Sequence, residues 1–128
     1  MKRKIFRELQ AIIEKTAGAV DVLRNALATF VRKGRIDLAL ICGSVAAGNQ
    51  SSKSDIDLLV VGDVSLAELV PALRHAETRL RREVNVSVYP ATEFRKKVKQ
   101  GAPFLKRILK GPRLFLAGGE RELDRLAR

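Results

Sequence analysis

The sequence contains no Trp, one Tyr and five Phe in 128 residues, so its core must be built from aliphatic side chains. Its single cysteine, Cys42, excludes an internal disulfide, and with only one histidine it also excludes a Cys/His zinc site. No apolar run approaches the ~20 residues that span a bilayer. The N-terminus, Met1 to Glu8, is basic but lacks the apolar segment of a secretory signal. These absences point to a cytoplasmic chain with no membrane partner. Repeats, low-complexity tracts and flexible linkers are missing too. A hydrophobic content of 46% is too high for a disordered chain, and 128 residues suit one domain rather than two.

Positive charge, by contrast, is plentiful. Twenty-five Lys and Arg against 14 Asp and Glu leave a formal charge of +11, which favours polyanionic partners: nucleic acid, nucleotide phosphates or an acidic protein. The excess is concentrated. No acidic residue lies between Glu93 and Glu120, while Arg95, Lys96, Lys97, Lys99, Lys106, Arg107, Lys110 and Arg113 fall there. At helical spacing such a tract is also what a solvated basic face looks like. Only Phe94, Phe104 and Phe115 interleave with it, too few for a single-strand stacking platform.

Apolar periodicity predicts a helix over residues 3–15 (Ile5, Phe6, Leu9, Ile12, Ile13), a break at Gly18, and a second helix from Ala19 to Arg32. The run Ile36 to Cys42 then reads as a strand buried on both faces, with Cys42 as a small packed thiol. Residues 43–54 are small and polar, a loop with room for one helical turn. A second strand covers Asp55 to Val61. Ser65-Leu66-Ala67-Glu68 is a capping-box pattern that opens a helix to about Arg79, with a kink expected at Pro71. Val84, Val86 and Val88 alternate with Asn85 and Ser87 in a third strand from Glu83 to Tyr89. A short helix capped by Thr92, another over Pro103–Lys110, an edge strand Arg113–Ala117 and a terminal helix from Glu120 complete a single α/β (α+β) unit, with residues 1–17 as N-terminal helix, 18–117 as core and 118–128 as C-terminal helix. His75 reads as an exposed helical residue, and Gly118-Gly119 as a helix boundary.

The stretch that carries chemistry is Gly43-Ser44-Val45-Ala46-Ala47-Gly48, five residues, then Ser54-Asp55-Ile56-Asp57. A strand ending in glycine lets the backbone approach a ligand closely. Ser44 offers a hydroxyl and, at the start of a helical turn, free N–H groups suited to phosphate. Asp55 and Asp57, two apart on a strand, point to one face. Two neighbouring carboxylates beside a phosphate cradle need a cation, and an all-oxygen set of this kind suits Mg²⁺ or Mn²⁺.

This pattern resembles the minimal nucleotidyltransferases of the DNA polymerase β-like nucleotidyltransferase superfamily, over about Val20 to Leu116. The resemblance implies a nucleotidyltransferase fold, a small mixed β-sheet flanked by helices. It implies binding of ATP or another nucleoside triphosphate with Mg²⁺ or Mn²⁺, and transfer of a nucleoside monophosphate, AMP foremost, to a hydroxyl of a protein, an RNA or a small molecule. Gly43 and Ser44 would contact the triphosphate, with Lys53 and Ser54 beside them, and Asp55 and Asp57 would hold the metal.

The chain departs from the family pattern at two places. Ala47 stands where Arg is common, and Lys53 is a point charge without the guanidinium fork. Active members usually carry a third carboxylate on the neighbouring strand, where this chain has Asn85. An amide can offer an oxygen to a metal but cannot act as general base. Glu83 shares the face of Asn85 and would compensate only under a shifted register. The second expectation is therefore a catalytically impaired regulator, or an antitoxin-like binding protein, acting through nucleotide, nucleic acid or a separately encoded protein partner. The tail from Glu93 to Pro112 also resembles that of members that follow a DNA-binding winged helix.

Overall fold

The computed structural model describes residues 18–43, 46 and 55–128. The helix expected over 3–15 and most of the loop, including Ser44, Ala47, Lys53 and Ser54, lie outside the described residues.

Strands that are apolar at nearly every position belong in the middle of a sheet covered on both sides. That is where β1 (Ile36–Cys42) and β2 (Ile56–Gly62) lie. The strand order is β3-β2-β1-β4, with β3 (Val84–Tyr89) and β4 (Arg113–Ala117) at the edges. β1 runs antiparallel to both β2 and β4, whereas β2 and β3 are parallel. The sheet is therefore mixed. The parallel pair needs a crossover, which α2 (Leu66–Leu80) provides.

Two apolar layers sandwich the sheet. On one face Leu23 and Leu27 of helix α1 (residues 18–32), with Leu69 and Leu73 of α2, cover Ile41, Ile56, Leu58 and Val60. On the other face Leu40, Leu59 and Val61 are covered by α3 (Ala91–Lys99), α4 (Pro103–Lys110) and α5 (Glu120–Ala127), through Phe94, Leu105, Ile108, Leu123 and Leu126. Phe94 is 1% exposed and meets Tyr89 at the end of β3 with ring centroids 6.2 Å apart. Truncating it to Ala should cost about 3–5 kcal/mol.

Local chemistry fixes the joints. Ser65 Oγ accepts from the Glu68 N–H, and Glu68 accepts from the Ser65 N–H, forming the expected capping box. Arg35, at the entry to β1, donates to both Glu68 oxygens at 2.8 Å and to the Asp63 carbonyl at 3.0 Å. Arg24 of α1 donates to the carbonyls of Phe115 and Leu116 on edge strand β4.

Several details differ from the sequence expectation. Gly18, the first described residue, is already helical and opens α1. Thr92 does not cap α3; the N-cap is Pro90, whose carbonyl accepts from the Phe94 N–H at 2.9 Å. The proline ring holds φ at the helical value, so the chain enters the helix at Ala91 and Thr92 falls inside the first turn, with no side-chain cap bond formed. Asp55 and Glu83 each precede their strand by one residue.

Candidate functional site

Four strand ends meet at one end of the sheet, among them the start of β4, whose Arg113 pairs with Cys42. β1 finishes there at Cys42, and the parallel strands β2 and β3 both begin there. The register pairs Cys42 with Asp57 and Asp57 with Asn85, so the three side chains leave the same face in a row. Asp55, two residues before Asp57, joins them: Asn85 Nδ2 donates to Asp55 Oδ2 at 3.2 Å. The Ile56 N–H donates to the Glu83 carbonyl at 2.8 Å and fastens the start of β2 to β3. Asn85 thus touches one carboxylate and stands beside the other. The position opposite Asp57 is occupied by Asn85, and Glu83 remains one residue ahead of the strand, so the shifted register that would bring a third carboxylate forward is not the one adopted.

Gly43 turns the chain away from β1 with φ +77°, a left-handed conformation that glycine adopts without penalty. A Cβ there would lie 2.9 Å from Asp57 Oδ2. The absent side chain leaves the space beside that carboxylate free. Of residues 44–54 the structure describes Ala46, which is helical and packs against the core.

Cys42 is buried, and its Sγ donates to the Asp57 carbonyl at 3.5 Å. Burial first, then the nearby Asp57 charge, push its pKa up to about 11. The thiol is therefore protonated at neutral pH and serves packing, as the sequence suggests. His75 is exposed on α2, as expected.

Beside Asp57 a cavity of about 390 Å³ opens under α4. Cys42, Gly43 and Asp57 line it from the sheet, and Phe104, Arg107 and Pro112 from α4 and the turn after it. Sequence reasoning counted Arg107 among the basic residues but did not place it, Phe104 or Pro112 at a site. The available signal is the amphipathic register of α4: with Leu105 and Ile108 buried, Phe104 and Arg107 fall three apart on one flank. What that flank faces depends on contacts some fifty residues distant along the chain.

The basic tract divides in three dimensions. Arg113 is committed to structure, with two bonds to Glu120 at 2.9 and 2.7 Å and others to the carbonyls of Ile108, Leu109 and Gly111. Lys97 lies 3.7 Å from Glu93. Lys106 and Lys110 line a groove next to the cavity, with Arg107 between the two spaces.

Among the described residues no three or more His, Cys, Asp or Glu side chains converge on a metal site. The donors at hand are two carboxylates and a carboxamide. That set fits a hard cation such as Mg²⁺, which binds one or two carboxylates and takes its other oxygens from water and substrate phosphates. Among the described residues no helix is long and apolar enough to cross a membrane.

Comparison with known proteins gives a consistent result. The family model for polymerase beta nucleotidyltransferases matches residues 25–108. A chain of Methanocaldococcus jannaschii, provisionally named a protein adenylyltransferase, is 32% identical over 80 residues, covering 62% of this chain and 79% of its own. Two solved structures share the fold at a TM-score of 0.55. One is a toxin–antitoxin structure with AMP-PNP, 17% identical over 81% of this chain and 80% of that one. The other is a mutant of the MntA–HpeT toxin–antitoxin pair, 15% identical at the same coverage.

Proposed function

The chain belongs to the polymerase beta nucleotidyltransferase family, and from that premise we propose that it binds a nucleoside triphosphate with Mg²⁺ or Mn²⁺ and transfers AMP to a hydroxyl of a protein partner. The observation that carries this reading is the row Asp55, Asp57 and Asn85 beside a left-handed Gly43. Adenine and a protein acceptor are favoured by the name of the M. jannaschii relative and by the AMP-PNP in a fold neighbour. A separately encoded partner is in keeping with the toxin–antitoxin neighbours.

In the transfer, the acceptor oxygen forms a bond to the α-phosphorus and the bond from that phosphorus to the β-bridging oxygen breaks. Pyrophosphate leaves with the electron pair, and the hydroxyl proton passes to water. Asp55 and Asp57 would hold the cation, which when bound neutralises charge developing on the phosphate oxygens. Gly43 and Ser44, with Lys53 and Ser54, would hold the triphosphate. Asn85 orients Asp55 through its amide and leaves the proton without a carboxylate acceptor. Missing general-base help typically costs ~10²–10⁴-fold in rate.

That same Asn85 favours a second reading, a regulator that binds nucleotide and turns it over slowly or not at all. One experiment addresses both. Calorimetric titration of ATP with Mg²⁺ should give binding that EDTA and Asp55→Ala/Asp57→Ala abolish. Labelled-ATP transfer to a co-purified partner then separates enzyme from regulator. Unchanged binding in the double variant would refute the assignment of the carboxylates.

A further inference from the structure

We infer that the cavity under α4 is the nucleoside seat of this site, with the base against Phe104 and Pro112 and the Arg107 guanidinium over the phosphates. The inference rests on the nucleotide-binding reading above and extends it to residues outside the strand motif.

Three observations meet here. The cavity, about 390 Å³, falls within the ~300–1,000 Å³ typical of small-molecule sites, and it is continuous with Gly43 and Asp57. A nucleotide whose phosphates sit at Asp57 thus lies within reach of it. Secondly, beside Arg107 its far side carries Phe104, Ile108 and Pro112, an apolar surface with an aromatic ring on which a flat heterocycle packs without needing a specific hydrogen-bond pattern. Thirdly, Arg107 is exposed, and among the described residues its side chain makes no hydrogen bond or ion pair. Arg113, six residues on, is held by Glu120 and three carbonyls, and so fixes the end of α4 and the turn carrying Pro112. The two arginines divide the work: Arg113 sets the cavity edge, and Arg107 presents a planar fork whose geometry matches phosphate oxygens.

The test compares ATP with adenosine, each titrated in the presence of Mg²⁺ against wild type, Arg107→Ala, Phe104→Leu and, as a charge control outside the cavity, Lys106→Ala. Arg107→Ala should weaken ATP roughly 10–100-fold, as loss of a charged hydrogen-bond pair typically does, and leave adenosine within about twofold. Phe104→Leu keeps the packing and removes the ring, so it should weaken both ligands by the same factor, about fivefold or more. Lys106→Ala should change ATP affinity by less than about threefold, since an exposed charge acts weakly at a distance. ATP weakened equally by the Arg107 and Lys106 variants would overturn the inference while the nucleotide-binding reading stands. So would Phe104→Leu binding both ligands like wild type, or a wild type that takes ATP but no adenosine. A wild type that binds no ATP overturns the underlying reading and this inference with it.

Discussion

Replacing Gly43 by Ala puts two separable costs on one position. The backbone there has φ +77°, and an L-residue held left-handed loses roughly 1–2 kcal/mol relative to glycine. The new Cβ would also stand 2.9 Å from Asp57 Oδ2, closer than unstrained packing allows, so the carboxylate must swing away. Gly34 supplies the control, because its φ is +71° and a Cβ built on it meets nothing within 4 Å. Gly34→Ala therefore carries the backbone cost alone. Both variants should unfold about 4–8 °C below wild type, at roughly 4 °C per kcal/mol for a chain of this size. Only Gly43→Ala should also lose Mg²⁺-dependent ATP binding, by tenfold or more if one metal-directed carboxylate is displaced. Urea or thermal unfolding gives the first quantity and calorimetry the second. If Gly43→Ala binds ATP as Gly34→Ala does, the close approach of residue 43 to Asp57 is irrelevant to the ligand and the reasoning fails.

Other expectations follow from the same geometry. Asn85→Asp exchanges an amide donor for a third carboxylate beside Asp55, so without divalent cation stability should fall by about 1 kcal/mol, and Mn²⁺ should restore it. Nucleotide transfer should rise at least about tenfold, and a variant insensitive to metal and no faster than wild type would contradict that. The Glu68 carboxyl is held below its ordinary value of 4.5 by the Ser65 N–H and then Arg35, and Glu120 likewise by Arg113. Each contributes stability that is fully present above pH 4.5 and is lost as pH falls through the lowered folded value, so Glu68→Gln with Glu120→Gln should flatten the acid limb of a stability–pH curve. Cys42 should resist a thiol reagent at pH 8 until the protein is unfolded. Stability should decline between pH 9 and about 11, because there the unfolded chain releases a proton the folded one keeps.

Much of the architecture is legible in the sequence because particular segments leave little choice. Ile36 to Cys42 is apolar, short and bounded by turn residues, and it is a central strand with those bounds. Ser65 and Glu68 announce the start of α2, and the Pro103–Lys110 helix also falls where the pattern puts it. The strand order was not legible. Nothing in the alternation of Val84 to Tyr89 says that β3 lies parallel to β2, or that β4 returns to pair with β1. The carboxylates could be found because two Asp residues at spacing two share a face whatever else the fold does. The hydrogen bond from Asn85 to Asp55 needed the inter-strand register, and the approach of Arg107 to the cavity needed the packing angle of α4. Local rules for helix ends also yielded to proline geometry at Pro90, where Thr92 had the better capping side chain.

The position of β4 has a consequence for how the chain assembles as it is synthesised. β1 is among the first strands made, yet its second edge is covered only when Phe115 and Leu114 reach Leu40 and Ile41. Until then a nascent chain carries an apolar strand with one row of peptide groups unpaired, the kind of edge that recruits other chains. A chain cut after Lys110 would keep both carboxylates and all of α4, and would still be prone to associate through β1. The last strand before the terminal helix thus closes the edge that β1 would otherwise offer to other chains, and its first residue, Arg113, also holds the turn that borders the cavity.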